Sequence, residues 1–194
     1  MKSVAALVLL AGSAAAFAPS AGSRAGSALR ADLSGEIGAT APLGYWDPFD
    51  MTNGGEQETF DALRHIELKH GRVSMLAFVG YCYTFDPSHR LPGCEDVSTG
   101  LAALTSMGQA QWLEIFFTVG LLEIWTSDIT GNAEFAGDSR NGLDFGWDKK
   151  SDDWKRSKRT IEINNGRAAM MGILGLMTHE GVVGNLSEIF PPVH

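Results

Sequence analysis

Ile66-Glu67-Leu68-Lys69-His70-Gly71-Arg72-Val73-Ser74-Met75 and Ile161-Glu162-Ile163-Asn164-Asn165-Gly166-Arg167-Ala168-Ala169-Met170 are two copies of one segment. Ile, Glu, Gly, Arg and Met coincide, and Gly80 falls on Gly175 when the match is extended. Each copy follows an aromatic-Asp element, Tyr45-Trp46-Asp47 in one case and Gly146-Trp147-Asp148 in the other. A duplicated unit has to be recognised before a fold is named, because it fixes the symmetry. Each copy heads a helical pattern, the first over about 60–85 and the third over about 154–183. Asp86-Pro87 and Leu91-Pro92-Gly93 end the first, and Pro191-Pro192 keeps any helix from reaching the C-terminus. A second, unpaired helix fits about 109–126, with Ile115-Phe116-Phe117 and Leu121-Leu122 as its apolar body. The stretches 31–53 and 131–153, rich in Gly and short polar residues, read as surface segments. The expectation is an all-α protein in which the first and third helices cross as a pseudo-two-fold pair.

Charges inside the apolar helices decide the solvent. No uninterrupted apolar run reaches the ~20 residues of an ordinary membrane span, which a soluble bundle would also explain. Yet each repeat carries a Glu and, five residues later, an Arg, and a lone charge at membrane depth costs roughly 2.5–3.5 kcal/mol. Two-fold symmetry supplies partners: Glu67 can meet Arg167 while Glu162 meets Arg72. Paired in this way, the helices become long enough to span a bilayer. Gly71, Ala77 and Gly80 in one copy and Gly166, Ala169, Gly172 and Gly175 in the other would let the backbones approach. The cations Lys149, Lys150, Lys155, Arg156, Lys158 and Arg159 precede the third helix, whereas Arg90 alone marks the loop after the first. The positive-inside rule then starts both repeat helices on the side of import, the stroma of a plastid.

The 194 residues suffice for one domain, and the net charge of −8 excludes nucleic acid as a partner, since no basic stripe is present to displace counterions. Cys82 and Cys94 form neither a CxxC motif nor a disulfide framework. Lys2, the apolar run Val4–Leu10 and Ala16-Phe17-Ala18 read as a signal peptide over 1–18. The acid-free, Ser- and Arg-containing stretch 19–31 reads as a transit-peptide-like segment, leaving 32–194 as the mature domain. Two addresses in series suit a plastid with additional membranes.

His65, Glu67 and His70 lack the HExxH spacing of a zinc hydrolase. Chlorophyll poses a smaller demand, because its Mg is filled in the ring plane and needs one axial N or O atom from the protein. Glu67 with His70, and Glu162 with Asn165, are three apart and share a helix face. His179 lies near four turns beyond Asn165, on nearly the same face and ~21 Å along the axis. A glutamate of either repeat can present one oxygen to Mg and the other to its Arg. Glu114 and Glu123 sit among Phe, Leu, Ile and Trp with no visible Arg, and are read as ligands, as protonated, or as helix-end carboxylates reaching water. Trp46, Trp112, Trp125 and Trp147 suit carotenoid contacts or an interfacial belt.

Glu67-x-x-His70-Gly71-Arg72 and Glu162-x-x-Asn165-Gly166-Arg167, with Trp147-Asp148 ahead of the latter, closely resemble the light-harvesting chlorophyll-binding family over about Ala41 to His179. The stretches 41–48 (APLGYWDP), 144–148 (DFGWD) and 177–180 (MTHE) resemble its fucoxanthin chlorophyll a/c branch, and 16–19 (AFAP) resembles the import cleavage region of complex plastids of red-algal descent. The resemblance implies three transmembrane helices, the first and third locked by the reciprocal Glu–Arg pairs. It implies Mg ligands at Glu67, His70, Glu162, Asn165 and His179, with Glu123 and, less directly, Glu114 on the second helix. Chlorophyll a, chlorophyll c and a xanthophyll (fucoxanthin or a related carotenoid) are the implied cofactors. Implied too are a multi-pass thylakoid location, thylakoid lipids, a photosystem I or II core and other antenna subunits as partners, with possible homo- or hetero-oligomers. The implied function is light harvesting without catalysis; a photoprotective, energy-dissipating role is the alternative within the same superfamily.

Overall fold

A computed structural model describes residues 32–90, 92–127, 133–141 and 143–184. The signal and transit-like segments expected over 1–31 lie outside the described residues. Four α-helices carry the described chain: α1 (Gln57–Tyr83), α2 (Ala103–Ser106), α3 (Gln109–Thr126) and α4 (Asp152–Val183). Short 3-10 turns at Leu33–Gly35, Pro87–His89 and Gly100–Ala102 accompany them. No strand occurs among the described residues. The four-residue α2 has no counterpart in the sequence reading.

Each long helix ends for a local reason. The Thr84 hydroxyl donates back to the Gly80 carbonyl at 2.9 Å just past the end of α1, competing with continued helix. At the start of α3 the Gln111 side chain accepts from the Gly108 N–H at 2.5 Å, satisfying a donor that the first turn leaves open. Gly184 stops α4 at φ +72°, a left-handed position that glycine occupies without a Cβ penalty.

α1 and α4 cross at Gly71 and Gly166. A Cβ built on either glycine would lie 3.0 Å from the other's Cα, so only glycine permits this approach. Gly172 packs on the Phe78 ring, whereas Gly80 and Gly175 have open space around them; the small residues therefore serve the crossing only near its centre, contrary to the wider set read from sequence. Among the described residues the buried apolar side chains are few: Leu33, Phe60, Leu68, Ile163 and Leu176. Leu68 of α1 sits against Gly137 ahead of α4, and Ile163 of α4 sits against Gly38 ahead of α1. Each arm thus lies on the opposite helix, and the two-fold relation extends beyond the helices into their leading segments.

α3 contributes no buried residue. Leu113, Phe116, Phe117 and Trp125 are each about two-thirds exposed or more. Polar ties hold it at its ends, from Lys69 to Glu123, from the Gln111 amide to the Gly93 carbonyl (3.1 Å) and from the Asn141 amide to the Trp125 carbonyl (2.5 Å). Among the described residues no helix is long and apolar enough by hydropathy alone to cross a membrane.

Candidate functional site

The crossing is an electrostatic lock built twice. Arg72 donates from Nε to Glu162 Oε1 at 2.7 Å and from Nη1 to the Gly137 carbonyl at 2.8 Å. Arg167 donates from Nε to Glu67 Oε1 at 2.7 Å and from Nη1 to the Gly38 carbonyl at 2.8 Å. Each guanidinium thus uses its fork to tie the opposite helix's carboxylate and the arm that leads into that helix. Gly38 and Gly137 adopt φ of +93° and +83°, which turns their carbonyls toward the arginines at no side-chain cost.

The two carboxylates differ in what remains free. Glu67 Oε2 accepts from Arg64 Nη1 at 2.5 Å, and Arg64 also reaches the Ile37 carbonyl at 2.6 Å. Arg159 holds the same repeat position before Glu162 but lies over the Phe135 ring, 3.9 Å from its centroid. Glu162 Oε2 has no partner among the described residues. Glu162 therefore keeps one carboxylate oxygen uncommitted among the described residues, while both oxygens of Glu67 are engaged by arginines.

His70 is exposed on α1, and its Nδ1 lies 2.9 Å from the Ile66 carbonyl. A carbonyl only accepts, so Nδ1 carries the proton, and in the neutral ring Nε2 keeps its lone pair for an outside acceptor role. Asn165 is exposed on α4, with no side-chain hydrogen bond among the described residues. The His179 Nδ1 is buried without a hydrogen-bond partner, a condition that costs free energy until something satisfies it. These donors fit axial binding of a ring-bound Mg: single N or O atoms, uncommitted to the protein, separated along the helices. They do not converge on one point, and no group of three metal-ligating side chains occurs among the described residues.

On α3 the outcome is mixed. Glu123 is not without a cation, as the sequence suggested; Lys69 Nζ of α1 lies 2.5 Å from its Oε2. Lys69 stands on α1 three residues before the crossing Arg72. Glu114 is exposed and its side chain makes no hydrogen bond among the described residues.

Two further knots flank the crossing. Asp47 accepts from the Met51 and Thr52 N–H groups at 3.0 and 3.1 Å and from the Thr52 hydroxyl at 2.8 Å, which lowers its pKa. Before α4, Arg140 donates to Asp138 and Glu134 and covers the Trp147 ring at 5.0 Å. The hydrogen bonds from Arg140 lead the causes that lower the Asp138 pKa to about 2. Trp147 donates to Glu134 at 3.0 Å, whereas Trp46 is 67% exposed, so the aromatic-Asp elements matched in sequence do not play matched roles. At the far end of the crossed pair, Glu180 accepts from the Tyr81 hydroxyl and from the Leu101 N–H at 2.9 and 3.0 Å. Gly100, at φ +66°, has no room there for a Cβ.

Gly38, Gly137 and Arg64 escaped the sequence reading. Arg64 and Arg159 occupy equal positions in the repeat and were visible in it. Gly38 and Gly137 were hidden, because the first arm is four residues longer and breaks the register.

A crossed helix pair neutralised from within, carrying separate single-atom donors, with a third apolar helix held off it, defines a scaffold for large planar cofactors. The chain belongs to the chlorophyll a–b binding protein family, whose pattern matches residues 30–181, and within it to the fucoxanthin chlorophyll a/c branch. It is 48% identical over 191 residues to a fucoxanthin-chlorophyll a-c binding protein, chloroplastic, of Trieres chinensis, covering 92% of this chain and 94% of the relative. It is 49% identical over 179 residues to fucoxanthin-chlorophyll a-c binding protein A, chloroplastic, of Phaeodactylum tricornutum (87% and 90% covered). Over 170 residues it is 42% identical to protein B of that name from Macrocystis pyrifera (81% and 76% covered).

Proposed function

We propose that this chain is a light-harvesting antenna of the plastid thylakoid, binding chlorophyll a, chlorophyll c and fucoxanthin or a related xanthophyll and passing excitation to a photosystem. It is not an enzyme; members of its family bind pigment. The observation that carries the reading is α3, an apolar helix with no buried residue beside a crossed pair that itself buries few side chains. Protein interiors are close-packed, so apolar faces left this open call for apolar matter from outside the chain.

Bound chlorophyll supplies the absorption and the excitation transfer. The chain's residues hold, space and orient. His70 through Nε2, Asn165 through its amide oxygen, Glu162 through Oε2 and His179 are the proposed axial ligands. Glu123 through the oxygen that Lys69 leaves free and Glu114 directly would serve in the same way, and Glu67 would do so once Arg64 releases its Oε2. The Arg72 and Arg167 locks fix the angle between the helices and hence between whatever each helix carries.

The same locks support a spanning topology. At 1.5 Å per residue, the 27 residues of α1 and 32 of α4 extend about 40 and 48 Å, and the 18 of α3 about 27 Å, against a hydrocarbon core of ~30 Å. A hydropathy sum counts Glu67, Arg72, Glu162 and Arg167 as lone charges, whereas here each is paired and hydrogen-bonded, the form in which charges occur at membrane depth. Asp86, in the loop after α1, has its pKa lowered by hydrogen bonds from Ser88, opposite to the shift a mild-acid sensor needs.

Thylakoids washed in carbonate and then solubilised in mild detergent test this reading. The chain should stay with the membrane and then migrate with chlorophyll a, chlorophyll c and a xanthophyll. Release into the carbonate wash would overturn the membrane placement, and a colourless chain after mild solubilisation would overturn the antenna.

A further inference from the structure

We propose that Lys69 is the counter-charge that lets Glu123 hold a chlorophyll: its ammonium takes one carboxylate oxygen across the gap between α1 and α3 and leaves the other to a ring-bound Mg. This rests on the reading of Glu123 as an axial ligand.

Each of the two helices carries a charge that it cannot settle alone. α3 holds Glu114 and Glu123 and no lysine, arginine or histidine, so neither acid finds a cation on its own helix. Lys69 is the thirteenth of the 27 residues of α1, about 18 Å from the helix start, and in a spanning helix that is far from either membrane surface. The crossing does not absorb it: Glu67 takes Arg64 and Arg167, and Glu162 takes Arg72. Charges at such depth are held in pairs. Lys69 Nζ lies 2.5 Å from Glu123 Oε2, so each ion supplies what the other lacks.

The surroundings of the pair leave room for a ring. α1 packs along α4 and not along α3, and the other ties of α3, from Gln111 to Gly93 and from Asn141 to Trp125, reach segments outside the long helices. Gly120 stands three residues before Glu123, on the same face, with open space around it. The surface beside the carboxylate is therefore low and unfilled, as a planar ring lying on α3 requires. Lys69 is a positioning residue there, because an ammonium has no lone pair to give to Mg. Its charge matters for a chemical reason. In chlorophyll the macrocycle already balances the Mg charge, so a carboxylate ligand brings a negative charge that the pigment does not cancel, whereas an amide ligand brings none.

That difference supplies the test. The chain is reconstituted with chlorophyll a, chlorophyll c and xanthophyll, and chlorophyll per chain, visible circular dichroism and the thermal midpoint of the complex are read. E123L should lose one chlorophyll, which checks the ligand. K69M should lose the same one, with the same change in visible circular dichroism, and K69R should keep it. K69M/E123Q separates charge from tether: an amide oxygen binds Mg without a cation, so the double variant should recover the chlorophyll that K69M loses and raise the thermal midpoint toward that of K69R. A full complement in K69M would overturn the inference. A double variant as deficient as K69M would also overturn it, reducing Lys69 to a tether. An unchanged count in E123L would instead strike the reading of Glu123 as a ligand, and the inference with it.

Discussion

At Glu67 one carboxylate meets two guanidiniums, Arg167 across the crossing and Arg64 one turn back, whereas Glu162 meets Arg72 alone. Removing one partner from a part-buried pair leaves the other charge uncompensated. Arg72→Leu strands Glu162 completely, but Arg167→Leu leaves Glu67 with Arg64. Arg72→Leu is therefore expected to lower pigment yield on reconstitution more than Arg167→Leu, as read by chlorophyll recovered per chain; equal losses would show that Arg64 does not compensate. Arg64→Gln combined with Arg167→Leu should bring the Glu67 side down to the level of Arg72→Leu. Asp138 gives a pH test. Its folded pKa of about 2, against an ordinary 3.8, means that its contribution is fully present above the ordinary value and disappears as pH falls through 2. Asp138→Asn should flatten that part of the acid-unfolding curve followed by visible circular dichroism.

Gly166 and Gly175 look alike in sequence, but nine residues are two and a half turns of α4, and only Gly166 faces backbone at the crossing. Gly166→Ala should push the helices apart and reduce assembly. Gly175→Ala meets open space and should be neutral or gain up to about 1 kcal/mol from helix propensity, measured as the thermal midpoint of the pigmented complex. Similar losses in both would place the crossing elsewhere. The contrast also marks what sequence could reveal. Periodicity and proline placement located the three long helices, and the duplicated Glu and Arg gave their pairing, because these are local patterns repeated at one register. Which small residues touch depends on the crossing angle, and that angle is set by the Gly38 and Gly137 latches, whose arms differ in length. Lys69 and Glu123 come from unrelated elements, so no repeat could announce their meeting. The candidate donors were legible as residue types on a face; that Nε2 of His70 is the available atom required the Ile66 carbonyl to be seen 2.9 Å from Nδ1.

Taken whole, the chain has an apolar surface larger than its own core can absorb: Leu76, Leu113, Phe116, Phe117 and Trp125 remain mostly exposed, and patches of that kind belong to interfaces. Pigment and lipid complete the packing, so pigment-free chain in detergent should recover helical far-ultraviolet signal but not a cooperative thermal transition, and added chlorophyll and xanthophyll should restore it. The central claim is that side-chain atoms left uncommitted by the crossed helices each hold one chlorophyll. Counting chlorophyll per chain in complexes reconstituted from wild type, His70→Leu and Asn165→Leu tests it most directly. Each variant should carry one chlorophyll fewer than wild type with its helices intact; an unchanged count in both would contradict the assignment.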